Sequence, residues 1–132
     1  MRRTLIVVLL SATVLLCLGA LLLETQTHLV RRAIDDLVYD NRNHYLPCEK
    51  LPDEGEVRRV LAAQQDTLRL IEQVNPGRVG IDVSAPCPGK ADLLIWYASH
   101  QDRLAIETIL AAATGASAGD TFFGIPYRMQ NR

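Results

Sequence analysis

The apolar residues of this chain are concentrated in one uninterrupted run near its N-terminus. Nineteen consecutive residues, from Leu5 to Leu23, carry no charged side chain. A helix of that length extends about 28 Å, which approaches the roughly 30 Å hydrocarbon core of a bilayer. The run therefore predicts a transmembrane helix at residues 5–23, preceded by a short tail at residues 1–4.

Three interpretations of this run differ in its fate after synthesis. A signal anchor stays in the membrane, and this is the interpretation that we favour. A cleaved signal peptide needs a site with small residues, and the nearest match, Leu18–Ala20, begins with Leu and is followed by three more leucines; cleavage would give a secreted protein. A lipoprotein signal would use Cys17, but two leucines precede this cysteine where small residues are needed.

Flanking charge predicts the orientation of such a helix. Arg2 and Arg3 precede the apolar run, whereas Arg31 and Arg32 follow it among several acidic residues. Acidic residues count little in this rule, and a very short N-terminal tail favours retention in the cytoplasm. We expect the N-terminus in the cytoplasm and the rest of the chain outside.

Residues 24–43 are predicted to continue the membrane helix as a juxtamembrane helical stalk. Apolar residues recur there at helical spacing, and charged residues fill the other positions. The stripe consists of Leu29, Val30, Ala33, Ile34, Leu37 and Val38. Such a stripe packs either on the protein's own domain or on a partner helix or second copy. Leu29, Ile34 and Leu37 are its candidate interaction residues.

Residues 44–132 predict one small α+β domain. The expected elements are a short strand at 44–51, a helix at 53–74, a hairpin of strands at 78–84 and 91–98, a helix at 99–114, a flexible loop at 115–120 and an edge strand at 121–128. The order (β)αββαβ suggests a split β-α-β, ferredoxin-like sandwich with two helices on one face of an antiparallel sheet. The first strand contains Pro47, and without it a three-stranded α+β variant results.

The cysteines of this domain form an even pair. In the predicted topology Cys48 and Cys87 lie at the same end of the sheet, so we expect a disulfide between them. The bond would close a loop of about 40 residues and stabilise the fold by roughly 4 kcal/mol. It would also place the domain in an oxidising compartment. Two alternatives remain open: reduced thiols in the cytoplasm, or a metal site completed by His44 and His100.

Composition and motifs exclude several function classes. The formal net charge of −1 argues against a nucleic-acid partner. No cofactor or catalytic motif is present, and Ser99 with Asp102 is better explained as a helix-capping pair than as part of a triad with His100. Additional candidate interaction residues lie at the hairpin tip and on the predicted edge strand: Lys90, Tyr127 and Arg128.

The layout resembles that of bitopic assembly subunits of bacterial secretion and pilus machines, which have a short cytoplasmic tail, one helix, a helical stalk and a ferredoxin-like outer domain. The resemblance is one of outline and says little about function. From the anchor, the amphipathic stalk and the lack of a catalytic constellation, we expect a non-enzymatic interaction or assembly module of an envelope complex, with a protein partner or a homodimer formed through the stalk or the edge strand. The alternative is a secreted or anchored protein that binds a small ligand or a metal.

Overall fold

A computed structural model describes residues 2–115 and 121–132, so most of the expected loop at 115–120 lies outside the described residues. Within them, the helices are α1 (Arg2–Thr27), α2 (Leu29–Leu37), α3 (Glu54–Ala63), α4 (Gln65–Glu72) and α5 (His100–Thr114). The strands are β1 (Gly80–Cys87), β2 (Lys90–Tyr97), β3 (Thr121–Phe122) and β4 (Ile125–Asn131). The chain is therefore a mixed α+β protein with one apolar N-terminal helix.

The first helix stands apart from the rest of the protein. Its segment Ile6–Thr25 is long and apolar enough to cross a membrane, and none of that segment is buried against the domain. The hydroxyl groups of Ser11 and Thr13 donate to the carbonyls of Val8 and Leu9, so they are satisfied within the helix. Length and composition fit a membrane span, and they fit a signal sequence equally well.

The four strands form one sheet in the order β1-β2-β4-β3. The pair β1/β2 is an antiparallel hairpin, as expected, and β3/β4 is a second antiparallel pair. Between them, β2 and β4 are parallel and are connected through α5. The apolar strand β2 lies in the interior of the sheet, between β1 and β4, and side chains on both of its faces are buried.

The hydrophobic core lies between one face of this sheet and helices α3, α4 and α5. Val57 of α3, Ile71 of α4 and Ile106 of α5 pack there against Leu93 and Ile95 of β2. Side chains alternate along a strand, so Asp92 projects from the opposite face of the sheet. The two faces of β2 therefore have different surroundings: Leu93 and Ile95 lie in the core, whereas Asp92 lies on the face away from it.

The first predicted strand does not form. Residues 44–51 contain a short 3₁₀ helix at Cys48–Lys50 in place of a strand, and Pro47 immediately precedes it. A ferredoxin-like sheet would need that strand between β2 and β4, but these two strands pair directly with each other. The ferredoxin-like topology is therefore not confirmed, and the sheet is mixed, not antiparallel.

Two other predicted elements are divided. The helix expected at 53–74 is interrupted at Gln64, which separates α3 from α4. The strand expected at 121–128 is a tight hairpin, because Phe123 and Gly124 both adopt positive φ, as a type I′ turn requires. As a result β4 lies between β2 and β3 and does not form the edge of the sheet.

Candidate functional site

The chain breaks sharply where α1 ends. His28 adopts the left-handed conformation, with φ 51° and ψ 28°, and its N–H donates to the carbonyl of Glu24 at 2.8 Å. The Glu24 carboxylate then accepts the N–H groups of Val30 and Arg31 at 2.8 and 3.1 Å. These bonds cap the start of α2. The helix predicted at 24–43 is therefore not continuous: α1 extends to Thr27, and a separate nine-residue helix follows.

The apolar stripe of α2 is exposed in the described part of the chain. We call the following residues the apolar face of α2, with their exposed fractions: Leu29 59 %, Val30 59 %, Ile34 44 %, Leu37 83 % and Val38 69 %. No residue of α2 is buried. Of the two interpretations of the stripe, packing on the protein's own domain is excluded for this structure.

The charged side of α2 contacts the domain instead. The Tyr45 hydroxyl donates to the Asp35 carboxylate, and the Tyr45 ring stacks on His28 at 5.2 Å between centroids. The guanidinium groups of Arg31 and Arg32 lie 5.8 and 5.6 Å from the centre of the same ring. Burial and the bond to Asp35 raise the pKa of Tyr45 to about 12. Tyr45 also has a positive φ of 54°, a strained conformation for an aromatic residue.

Arg103 of α5 fastens this helix to the domain. Its side chain is 9 % exposed, and it donates to Asp36, to Asp40 at 2.9 Å and to Glu107 at 3.1 Å. These carboxylates raise the pKa of Arg103 against the opposing effect of burial. Burial by itself would raise the pKa of Asp40, but hydrogen bonds from His100 and Arg103 lower it. We call Asp36, Asp40, Arg103 and Glu107 the Arg103 cluster.

A second polar cluster occupies the sheet face opposite the core. Asp92 is fully buried and accepts hydrogen bonds from His44 at 2.8 Å and from Arg128 at 2.7 and 3.0 Å. Arg128 also donates to the hydroxyl of Ser84 at 2.6 Å. Burial opposes ionisation of Asp92, yet the bonds from His44 and Arg128 prevail and lower its pKa. We call these four residues the Asp92 cluster.

Both ring nitrogens of His44 are engaged in this cluster. Nδ1 accepts the backbone N–H of Leu46 at 3.0 Å, so the proton is assigned to Nε2, which donates to Asp92. A histidine held in this way fixes the path of residues 44–46 over the sheet. It offers no free nitrogen to a substrate or a metal ion.

The predicted disulfide joins Cys48 to Cys87, with 6.0 Å between their Cα atoms. The bond lies beside the Asp92 cluster, at a cleft of about 380 Å³ that both half-cystines line. Because their sulfurs are bonded to each other, they cannot serve as thiolate ligands. With the disulfide formed, the metal-site alternative with His44 and His100 lacks its two sulfur ligands, and the described residues contain no group of three or more His, Cys, Asp or Glu placed to hold a metal.

The remaining predicted site residues have structural contacts. Lys90 lies at the hairpin tip and pairs with Asp53 at 2.9 Å. Tyr127 is 2 % exposed, because β4 is an interior strand and the side chain enters the core. Arg128 binds the buried Asp92. Tyr127 and Arg128 therefore do not form the exposed edge that the sequence predicted.

The Ser99–Asp102 segment is a helix cap, as predicted. The Ser99 hydroxyl accepts the N–H of Asp102 at 3.2 Å, and the Asp102 carboxylate accepts both its bonds from Asn75. The hydrogen-bond partner of His100 is Asp40, whose carboxylate accepts from Nδ1 at 2.8 Å. This arrangement orients no base toward a nucleophile.

Comparison with known proteins found no relative of this chain: no family model, no curated protein and no solved structure gives a significant match.

Proposed function

We propose that this protein is a membrane-anchored, extracytoplasmic interaction module of an envelope complex, with no enzymatic role. One observation carries the proposal: a helix fit to span a membrane leads directly into a short helix whose charged side is fastened to a folded domain and whose apolar face is exposed. This arrangement suits a domain that is held at a membrane and presented to partners.

The anchoring part of the proposal rests on α1. None of its apolar segment is buried in the described protein, so the apolar side chains of residues 6–25 have no protein environment that would make them soluble. Exposed leucines at this density need lipid around them. Retention of the helix, with its N-terminus in the cytoplasm, follows from the flanking arginines and from the poor cleavage site.

The outer location of the domain is supported by its disulfide. Disulfides persist in oxidising compartments and are rare in the cytosol. The Cys48–Cys87 bond connects the loop after α2 to the end of β1, so it is built into the fold. Charge and cysteine chemistry are separate arguments, and both favour the domain outside.

A role in binding is supported better than catalysis because the polar groups are already engaged with each other. His44, Asp92 and Arg128 satisfy one another, and Arg103 is surrounded by three carboxylates. A general base needs a free nitrogen or oxygen within reach of a substrate. These clusters hold loops and helices in place instead.

Binding of a small ligand, the alternative, has one candidate position. A cleft of about 480 Å³ lies between α2 and α5, a volume that would suit a ligand. However, four of its six charged lining residues, Asp36, Arg42, Arg103 and Glu107, already form ion pairs with one another or with neighbours. A ligand would have to break these pairs, so we prefer the interaction module.

Orientation is tested first, in intact cells that express the full chain with Cys17 replaced by Ala. A membrane-impermeant thiol reagent should label Cys48 and Cys87 only after an impermeant reductant is added. A Met1 tag should stay inaccessible to added protease until the cells are opened. Labelling without reductant, or only after lysis, would contradict an outer, oxidised domain.

The partner is tested by crosslinking in native membranes. Photo-crosslinking residues would replace exposed domain positions one at a time, for example Leu70 on α4, Asp82 on β1 and Leu104 on α5. We expect crosslinks from one contiguous surface to a single protein or to a second copy. A uniform absence of crosslinks, together with a monomeric mass in mild detergent, would refute the interaction module.

A further inference from the structure

We propose that α2 lies in the interface of the same bilayer that holds α1, with its apolar face buried between headgroups and acyl chains. The inference rests on the proposed membrane anchoring and assigns an occupant to the apolar face of α2. The charged side of α2 then holds the domain against the membrane surface. In this placement α2 lies along the membrane and does not project from it as a stalk.

The position of α2 along the chain supports a lipid occupant. The apolar span ends at Thr25, and α2 begins at Leu29 after a single left-handed residue. At 1.5 Å per helical residue, Leu29 lies about 6 Å beyond the end of the span. The headgroup region extends roughly 5–8 Å beyond the hydrocarbon core on each side. The start of α2 therefore falls within the headgroup region.

The break at His28 permits α2 to leave the axis of α1. A left-handed residue ends a helix and redirects the chain, and the Glu24 carboxylate satisfies the amide groups that the break would otherwise expose. A continuous helix would have placed the apolar face of α2 in water, beyond the membrane surface. A separate, capped helix is able to turn into the plane of the interface.

In this placement the charged side of α2 faces the domain, and its apolar face is in contact with lipid. The side with Asp35 and Asp36 is bonded to Tyr45 and Arg103 of the domain. The apolar face is exposed, and Tyr39, just beyond the helix, is 59 % exposed as well. Tyrosine is enriched at the membrane–water interface, where its ring and hydroxyl meet different surroundings.

A second copy is a weaker occupant for this face. Stable protein interfaces contain about 20–30 residues on each side, whereas α2 has nine residues in all, and its apolar face consists of four of them and the adjoining Val38. Helices this short also gain little from pairing alone. A bilayer, in contrast, surrounds α2 without any requirement for a matching surface.

The test uses the full chain with Cys17 replaced by Ala, reconstituted in vesicles of phosphatidylcholine and phosphatidylglycerol. A spin label is attached to a single cysteine in Leu37→Cys or, as an exposed control on the domain, in Gln65→Cys. Collision with oxygen reports lipid, and collision with a water-soluble nickel complex reports water. We expect the label at residue 37 to collide severalfold less often with nickel, and more often with oxygen, than the label at residue 65.

Three results would overturn the inference. Equal nickel accessibility at residues 37 and 65 would place α2 in water. Dipolar broadening between labels at residue 37 would assign the face to a second copy. A label at residue 37 that is protected only when a partner protein is added would assign it to that partner. A control label in Leu15→Cys separates the two proposals: if it is in lipid while residue 37 is in water, α1 anchors the protein and only the inference about α2 fails.

A matched pair of variants provides a second test. Leu37→Glu should raise the nickel accessibility of a label at Leu29→Cys severalfold, because a carboxylate disfavours burial in the interface. Leu70→Glu, on exposed α4, should leave that label unchanged. Both leucines are exposed, at 83 and 55 %, so neither substitution disturbs the core. No difference between the two variants would also overturn the inference.

Discussion

Asp92 is the residue on which the polar face of the sheet depends. It is fully buried, yet it is held ionised by Arg128 and His44 from two different segments of the chain. A buried carboxylate of this kind is tolerated only when its partners are in place. It therefore connects the path of residues 44–46 to the strands beneath them.

We expect Asp92→Asn to destabilise the protein by roughly 3 kcal/mol, because it leaves Arg128 without its counter-charge. The estimate is at the low end for a buried pair because the Arg128 side chain is 20 % exposed. Urea unfolding in detergent, followed by Trp96 fluorescence, measures the change. Asp82→Asn, on the exposed part of the same sheet face, should change the free energy of unfolding by less than about 0.5 kcal/mol. Equal midpoints for both variants would contradict this prediction.

Acid should destabilise the protein through aspartates whose pKa is lowered by their contacts in the fold. The folded-state pKa values of Asp40 and Asp92 both lie below their ordinary value of 3.8. A lowered pKa stabilises the fold fully above the unfolded value, and this contribution is lost as the pH falls through the folded pKa. We expect the free energy of unfolding to decline below about pH 4.

The Asp92→Asn variant is the control for this pH dependence. Urea midpoints measured across the acid range should decline less steeply for Asp92→Asn than for the unaltered protein, because the substituted residue no longer titrates. Identical slopes would show that Asp92 does not contribute to the acid response.

At the scale of elements, α2 is a helix whose place is set by contacts far away in the sequence. Arg103 and Asp36 are 67 residues apart, and their ion pair joins α2 to α5. The apolar face of α2 contributes no packing to the domain. The attachment of this helix is therefore electrostatic within the chain itself.

Arg103→Gln should loosen α2 while the sheet stays folded. The variant loses charge-assisted hydrogen bonds worth roughly 1.5–3 kcal/mol. Amide hydrogen exchange of residues 29–38 in detergent should accelerate about ten- to hundredfold. Arg59→Gln, on the exposed side of α3, is the matched control and should leave this exchange unchanged. Equal exchange in both variants would show that Arg103 does not hold α2.

The elements that sequence predicted correctly are those with local signals. The alternating residues 78–84 and the apolar run 91–98 predicted the β1/β2 hairpin, and Ser99 marked the start of α5. Gly115 has a positive φ at its end. The turn at Phe123-Gly124 was missed because a bulky aromatic residue rarely adopts positive φ. Nothing in the local pattern around Gln64 indicated a break between α3 and α4.

The polar clusters were missed for a different reason. His44 and Asp92 are 48 residues apart, and Arg128 is 36 residues from Asp92. No periodicity connects such positions, so they are recognised only once the strands are in register. Arg103 and Glu107 have helical spacing, but that spacing alone predicts an ordinary surface pair. The disulfide was found because only two cysteines remained outside the apolar helix.

At the scale of the whole molecule, the disulfide makes a large contribution to the free energy of unfolding of the domain. The Cys48–Cys87 bond spans 39 residues, and a loop of that length is worth about 4 kcal/mol in the chain-entropy model. A domain of this size has a small core, so the contribution is a large share of its stability.

Replacing both half-cystines by Ser should therefore lower the free energy of unfolding by about 4 kcal/mol. Reduction of the unaltered protein should give a similar loss, measured by urea unfolding in detergent with and without reductant. Cys17→Ser, in the apolar helix, is the control and should unfold like the unaltered protein. If reductant leaves the midpoint of the unaltered protein in place, the bond does not stabilise the fold.

The same bond makes a covalent ring that contains α3, α4 and all of β1. A protease that cuts once inside this ring leaves two pieces, of which only the first carries α1. The sulfur bridge keeps the second piece joined to the first, so a gel without reductant shows a single band of full mass. After reduction, the nick becomes visible, and only the packing of the fold then holds the C-terminal piece to the piece with the apolar helix.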